Sequence, residues 1–232
     1  MLLFWDIDGT LLTTGRAGIY AWEDALRETT SASADLQDFH TAGHPDFGIA
    51  RRLLAEYGGI AQPDARLIRQ LVGRYEDNLP AALHRRAGRV LPNVRDILEA
   101  LDREPEACCM LLTGNTRRGA HAKLAHYGLA EFFRTGAFSE DDGDRVAIAL
   151  KAMERATTAG RAAHPRRVFV IGDTPHDIHC AEAIGARAVA VATGLYPTEV
   201  LEAEGAWRVF SELPTAAAFL ALLEGRKTAR DA

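Results

Sequence analysis

The sequence predicts an α/β fold in which helices cover both faces of a parallel sheet and one long helical segment interrupts the alternation. Three patterns predict it. Residues 2–5, 107–112 and 168–171 are short apolar runs that each stop at a polar loop, as strands buried on both faces do. After Pro92, helical spacing alternates with such runs. Between about Gly15 and Arg89 the only periodicity is helical.

Taken in order, residues 2–5 form the first strand, ended by Asp6-Ile7-Asp8-Gly9-Thr10. Ile19, Trp22 and Leu26 mark a first helix, and Ile49, Leu53, Leu54 and Tyr57 a second. Leu67, Ile68, Leu71, Val72 and Tyr75 mark a third, with Gly58-Gly59 and Pro63 as punctuation. A helix over 94–101 leads to the strand at 107–112, which stops at Thr113-Gly114-Asn115-Thr116. A helix over 119–127 ends near Gly128, residues 132–138 read as a short strand, and a helix runs from about 145 to 156. The strand at 168–171 stops at Gly172-Asp173-Thr174-Pro175-His176-Asp177. A helix over 178–184, a strand over 188–192, a helix over 198–204, a strand over 207–210 and a terminal helix complete the chain. The pieces on either side of the insert therefore belong together. Residues 1–13 plus 90–232 form a three-layer, Rossmann-like core, and residues 14–89 an all-helical inserted domain.

With 232 residues and 47% hydrophobic content, the chain can bury a sizeable core. A net charge of −5 argues against a dedicated nucleic-acid binder or a basic membrane-surface protein. No apolar run reaches the roughly 18–20 residues that span a bilayer. The opening Met-Leu-Leu-Phe-Trp meets Asp6 and Asp8 too early for a signal peptide. Three cysteines, of which Cys108 and Cys109 are adjacent, make no disulfide framework, and Cys108 reads as buried strand filler. The expectation is a cytoplasmic monomer or homodimer with a small-molecule partner. Only Lys123, Lys151 and Lys227 are lysines among 27 basic residues, so any mechanism that needs a lysine has three candidates.

Parallel sheets of this type bind ligands at the carboxyl ends of their strands. Those ends carry Asp6 and Asp8, then Thr113 and Asn115, then Asp173 and Asp177. Any one of these could be an ordinary helix cap or turn residue. Four converging carboxylates, however, repel one another unless a cation lies among them. Mg²⁺ suits oxygen ligands shared with a substrate phosphate. His176 and His179 lack further partners at the spacing of a transition-metal site.

These three loops resemble the motifs of the haloacid dehalogenase-like hydrolase superfamily. Asp6-Ile7-Asp8-Gly9-Thr10 matches its first motif, Leu111-Leu112-Thr113-Gly114-Asn115 its second, and Gly172-Asp173 through Asp177 its last. The resemblance covers essentially the whole chain, and the helical insert is similar to the small cap of phosphoglycolate phosphatase-like members. It implies that Asp6 is a nucleophile forming an aspartyl-phosphate and Asp8 the general acid and base. It also implies Mg²⁺ held by Asp6, Asp173 and the Asp8 carbonyl, with Asp177 orienting its waters. Thr113 and the N–H groups around Gly114 and Asn115 would bind phosphoryl oxygens.

The family's remaining motif is a basic residue, usually lysine, at the start of the helix before the last motif. Arg145 stands where that helix begins, 28 residues before Asp173, and residues 161–167 read as a long loop that absorbs the extra spacing. Lys151, 22 residues before Asp173, is the alternative, on a face opposite Val146, Leu150 and Met153. In the insert, Gly15 and Gly18 are hinge candidates. His44 and Asp46 resemble a substrate-facing G-x-x-D element, or else form a helix-entry turn. Arg16, Arg51 and Arg52 could pair with a substrate carboxylate or second phosphate.

Asp8 argues against dehalogenation, which has no alcohol to protonate. Residues 14–90 contain no lysine, which removes the Schiff-base chemistry of phosphonoacetaldehyde hydrolase and disfavours a mutase of the beta-phosphoglucomutase type. The expected activity is Mg²⁺-dependent hydrolysis of a small phosphate monoester, with that mutase or a catalytically silent phosphate-responsive protein as alternatives.

Overall fold

A computed structural model describes residues 1–140, 144–161 and 164–225. In chain order it contains β1 (Leu2–Trp5), β2 (Leu12–Thr13), α1 (Ala17–Thr30), α2 (Asp46–Glu56), α3 (Ala65–Ala82), β3 (Arg89–Val90) and α4 (Val94–Asp102). There follow β4 (Cys108–Leu112), α5 (Arg117–His126), β5 (Gly136–Ala137), α6 (Arg145–Thr158), β6 (Val168–Gly172) and α7 (Pro175–Ala183). The chain then forms β7 (Arg187–Val191), α8 (Thr198–Ala203), β8 (Arg208–Phe210) and α9 (Ala216–Leu223).

Six parallel strands are ordered β5-β4-β1-β6-β7-β8. Alternation along each strand feeds two cores. Leu3 and Trp5 join Phe169, Ile171, Val189 and Val191 on the face covered by α4, α5 and α9. Leu2 and Phe4 join Val168, Val170, Ala188 and Ala190 on the face covered by α6 and α7. Because β1 lies between β4 and β6, the chain leaves the centre in both directions. The crevice opened by that reversal lies at the carboxyl ends of these three strands, where the polar loops converge.

The helices of the insert have their own core. Trp22 of α1 stacks on Tyr75 of α3, with ring centroids 3.9 Å apart and planes at 5°. Leu26, Leu53, Leu54 and Leu71 are wholly buried around that pair. The α5 helix faces both bodies: Ala120 and Leu124 enter the sheet core, while Ala122 and Tyr127 pack against the insert. Arg118 adds ion pairs to Glu76 at 2.9 Å and Asp77 at 2.8 Å on α3.

Several sequence expectations change in detail. Antiparallel β2 and β3 pair Leu12 with Val90 and Thr13 with Arg89 at the two crossings into the insert, where no strand was expected. Two residues are too short for an apolar pattern to declare itself. The strand expected over 132–138 contracts to Gly136–Ala137, preceded by a 3₁₀ turn over Ala130–Phe132. A Cβ at Gly136 would lie 2.6 Å from Leu111 Cβ, so β5 approaches β4 by virtue of glycine. Cys108 is only half-buried, because it begins its strand beside Met1. Leu150, expected on the apolar face of α6, is 53% exposed; the buried face is Ile148, Ala149, Ala152 and Ala156. Residues 162–163 of the expected loop over 161–167, and Lys227, lie outside the described residues; residues 165–167 form a 3₁₀ turn.

Candidate active site

Asp6 follows directly from β1, its N–H donating to Ile171 O at 3.0 Å. The next loop curls back at Gly9, whose φ is +82° and where a Cβ would lie 2.3 Å from Asp173 Oδ2. Only glycine permits both that backbone and that approach. Thr10 Oγ1 then donates to Asp173 Oδ1 at 3.1 Å. Asp177 lies in the first turn of α7, where its Oδ2 accepts from Thr174 N at 3.1 Å and Thr174 Oγ1 at 2.7 Å. Its Oδ1 accepts from the guanidinium of Arg145.

Asp6, Asp173 and Asp177 each offer an oxygen within 4.8 Å of the others, and all three are buried. Burial, then Asp177, pushes the Asp6 carboxyl up to about 7, although Arg145 opposes the shift. Burial, then Asp6 and Asp177, holds Asp173 well above the usual carboxylate range. One guanidinium, paired with Asp6 and Asp177, thus serves a cluster of three buried acids. An oxygen-only set carrying surplus negative charge fits a hard divalent ion such as Mg²⁺, and these three residues would hold it.

Arg145 occupies the basic position. It is the first residue of α6, is 5% exposed, and lies 3.6 Å from Asp6 Oδ1 through Nη1. Its buried Nε has no hydrogen-bond partner among the described residues. Lys151 is two turns further along, 45% exposed, and pairs with Glu154 at 2.7 Å, so it does not reach the site.

Asp8 is turned away from the acid trio. Its Oδ2 accepts from Lys123 Nζ at 2.6 Å and Asn115 Nδ2 at 2.9 Å, while Lys123 also donates to Asn115 Oδ1 at 2.6 Å. Asn115 Nδ2 and N both donate to Thr113 Oγ1, at 2.8 Å and 3.3 Å. Asn115 therefore orders Asp8, Thr113 and Lys123, and its side chain is committed within the protein. Lys123 was not anticipated from the sequence. Its signal was its spacing: it stands three residues after buried Ala120 and one before buried Leu124, on the inward face of α5.

Between the strand ends and the helical insert lies a cleft of about 330 Å³. Ile19, Trp22, Ile49 and Tyr75 line its insert side, and Gly114, whose carbonyl accepts from Asp46 N at 2.8 Å, lines its floor. His44 reaches the cleft and packs its ring against that of His176, with centroids 5.6 Å apart. Arg16 lines the cleft, but its Nη2 donates to the carbonyls of Gln37 at 2.5 Å, Phe39 at 3.4 Å and Leu36 at 3.5 Å. It ties down the loop of the insert, and its expected role toward substrate is corrected to that extent. Arg51 is exposed and absent from the cleft lining. Its place on the outer face of α2, opposite Ile49, Ala50, Leu53 and Leu54, removes it from the expected contacts. Arg52 lies over the Phe39 ring and donates to His40 O at 3.1 Å.

Asp46 opens α2 and lines the cleft, but it does not cap that helix, whose N-cap is Pro45 with no side-chain cap bond. Asp46 Oδ2 accepts from the N–H of Thr116, the N-cap of α5, at 2.7 Å, so a carboxylate of the insert braces the start of that core helix. Burial pushes its carboxyl up to about 7 despite Lys123 nearby and the Thr116 N–H. A carboxyl whose folded-state pKa is raised stabilises the fold below about pH 4, and that contribution is lost as pH rises through 7. Asp46→Asn is therefore expected to raise the melting temperature at pH 8.5, by the equivalent of roughly 2–4 kcal/mol, and to change it little at pH 4. Melting curves across that range check this; a variant less stable than the parent at pH 8.5 would show that the charge itself is required.

A parallel α/β sheet that gathers an acid trio and a buried guanidinium at its strand ends is the arrangement of a hydrolase built on an α/β core. The chain matches the family model described as haloacid dehalogenase-like hydrolase over residues 3–182, and it belongs to that family. It is 28% identical over 213 residues to the phosphoglycolate phosphatase of Mesorhizobium japonicum, covering 88% of this chain and 87% of that one. Its fold is similar to CbbY from Rhodobacter sphaeroides, solved in complex with phosphate, with a TM-score of 0.72, 16% identity and coverage of 91% and 93%. It is also similar to a candidate beta-phosphoglucomutase from Thermotoga maritima, with a TM-score of 0.62, 20% identity and coverage of 97% and 98%. At these identities the two structures speak for the fold alone.

Proposed function

We propose that this hydrolase is a Mg²⁺-dependent phosphatase that cleaves a small phosphate monoester through an aspartyl-phosphate on Asp6. The observation that carries the reading is the contrast between two carboxylates two residues apart. Asp6 is buried among Asp173, Asp177 and Arg145, whereas Asp8 is 42% exposed on its side chain and meets a separate set of partners. One suits attack on phosphorus and the other suits proton transfer.

In the first step an Asp6 oxygen bonds to phosphorus as the ester P–O bond breaks, and Asp8 gives its proton to the departing oxygen. In the second, Asp8 takes a proton from water as the water oxygen attacks phosphorus, which releases inorganic phosphate and restores Asp6. Arg145, beside Asp6, offsets negative charge gathering on the phosphoryl group. The buried Thr113 hydroxyl and the Gly114 backbone supply polar contacts at the adjoining strand end. When bound, Mg²⁺ would supply charge neutralisation of the phosphoryl oxygens.

A cleft of about 330 Å³ suits a metabolite of few carbons, and the relative from Mesorhizobium japonicum makes a phosphoglycolate-like acid the first substrate to try. The second reading is a phosphomutase, the activity that the name of a neighbour with the same fold carries. Against it, the insert offers no lysine to the cleft, and Lys123 from the core is engaged by Asp8. Three free cysteines suit a reducing compartment such as the cytoplasm.

The test is phosphate release from p-nitrophenyl phosphate and a panel of alkyl phosphates, with Mg²⁺ and with EDTA. Release that EDTA abolishes is expected. Absence of release across the panel would overturn the phosphatase reading, and production of an isomeric sugar phosphate would replace it with the mutase.

A further inference from the structure

We infer that Lys123 is the positioning residue of the general acid, fixing which oxygen of Asp8 carries the proton to the leaving group. This rests on the phosphatase reading above. Lys123 leaves the core helix α5 and is only 7% exposed on its side chain, a placement an ammonium seldom takes without a partner. Its partners form a closed ring. Lys123 Nζ donates to Asp8 Oδ2 at 2.6 Å and to Asn115 Oδ1 at 2.6 Å, and Asn115 Nδ2 returns to the same Asp8 oxygen at 2.9 Å.

Both donors therefore converge on one oxygen of Asp8. Oδ2 is saturated by a cation and an amide, while Oδ1 accepts no hydrogen bond from the described side chains. A proton placed on Oδ2 would confront two N–H groups; a proton on Oδ1 confronts none. The ring thus selects Oδ1 as the atom that gives a proton to the departing alcohol oxygen and later receives one from water. It also restrains the carboxyl plane of a side chain that is otherwise 42% exposed and rotationally free. Lys123 touches neither phosphorus nor the nucleophile in this scheme. It acts through Asp8.

The experiment exploits leaving groups. The ratio kcat/KM reports the steps through release of the alcohol, so it senses the acid and not the later attack of water. An alkyl phosphate needs its leaving oxygen protonated; p-nitrophenolate leaves without help. Lys123→Met is expected to lower kcat/KM for the best alkyl ester of the panel by about 10²-fold, the range of general acid catalysis, and to lower that for p-nitrophenyl phosphate at least tenfold less. In an Asp8→Asn background, where no proton remains to position, Lys123→Met is expected to add less than about threefold.

Equal losses with both esters, or a full multiplicative loss in the Asp8→Asn background, would overturn the inference and leave the phosphatase reading standing. So would a wild type active on aryl esters alone. No turnover of either ester by the wild type would overturn both. If Lys123→Met does not fold, Lys123→Gln, which keeps a donor and removes the charge, is read by the same ratio of losses.

Discussion

Asp6→Asn is expected to remove turnover, by about 10⁴-fold or more, while making the metal-free protein more stable at pH 8. The loss follows from chemistry: an amide is no nucleophile toward phosphorus, and a residue that forms the covalent intermediate cannot be replaced by its neighbours. The gain follows from electrostatics. Burial and Asp177 push the Asp6 carboxyl up to about 7, above its value in an unfolded chain. Its protonated form is favoured in the fold, so the stabilisation is complete below about pH 4 and is lost as pH climbs through 7. Above that, the wild type holds an ionised carboxylate against Asp173 and Asp177, and asparagine removes the repulsion at roughly 2–4 kcal/mol. Melting curves with EDTA at pH 5 and pH 8, beside steady-state assays, check both halves. Divalent metal should shrink the stability gain, since it relieves the same repulsion. A variant that loses activity and stability together at pH 8 would mark Asp6 as structural.

Arg145→Ala is expected to cost both activity and stability, the opposite signature. Its guanidinium is buried between Asp177 and Asp6, and its removal leaves three facing acids with no opposing charge from that side. Breaking one partner of such a buried set typically costs about 3–5 kcal/mol. Turnover should fall by about 10²-fold or more, the scale of a lost electrostatic contact in a transition state. Lys151→Ala, by contrast, removes one exposed, solvent-screened i,i+3 ion pair and leaves turnover unchanged. Loss of turnover with Lys151→Ala and none with Arg145→Ala would reverse the assignment. Arg145→Lys separates charge from shape: lysine can oppose Asp6 or Asp177 as a point charge but lacks the planar fork that spans both.

The local features that foretold the site are those in which consecutive residues suffice. Asp6 and Asp8 end an apolar strand, Thr113 ends another and Asp173 a third, so one rule about strand ends gathers them. Arg145 was legible for a similar reason, as the residue opening a helix. Periodicity also located the main helices, with ends displaced by a few residues at most. It failed for β2 and β3 and overran β5, each two residues long, where register against a partner and not composition makes the strand.

Roles that depend on where a long side chain goes were illegible. Arg16 and Arg51 look alike in sequence, yet one binds three backbone carbonyls of the insert and the other lies on the outer face of α2. Asp46 could be read as a cap or a site residue; in the structure it holds the N–H of Thr116, the N-cap of a helix 70 residues away. The scarcity of lysine excluded chemistry that needs one from the insert, but it could not show that a core helix sends Lys123 into the same cleft.

Sequence by itself determined the parallel α/β core, the helical insert and the aspartate, threonine and aspartate loops at three strand ends. These follow from apolar periodicity and from the rule that places loops at strand ends, both local properties of the chain. Only tertiary structure decided which charges face one another: Arg145 between Asp6 and Asp177, Lys123 on Asp8, Asp46 on α5. Those pairings join residues up to 139 positions apart, at distances of a few ångströms where Coulomb energy varies steeply, and strand patterns carry no record of them.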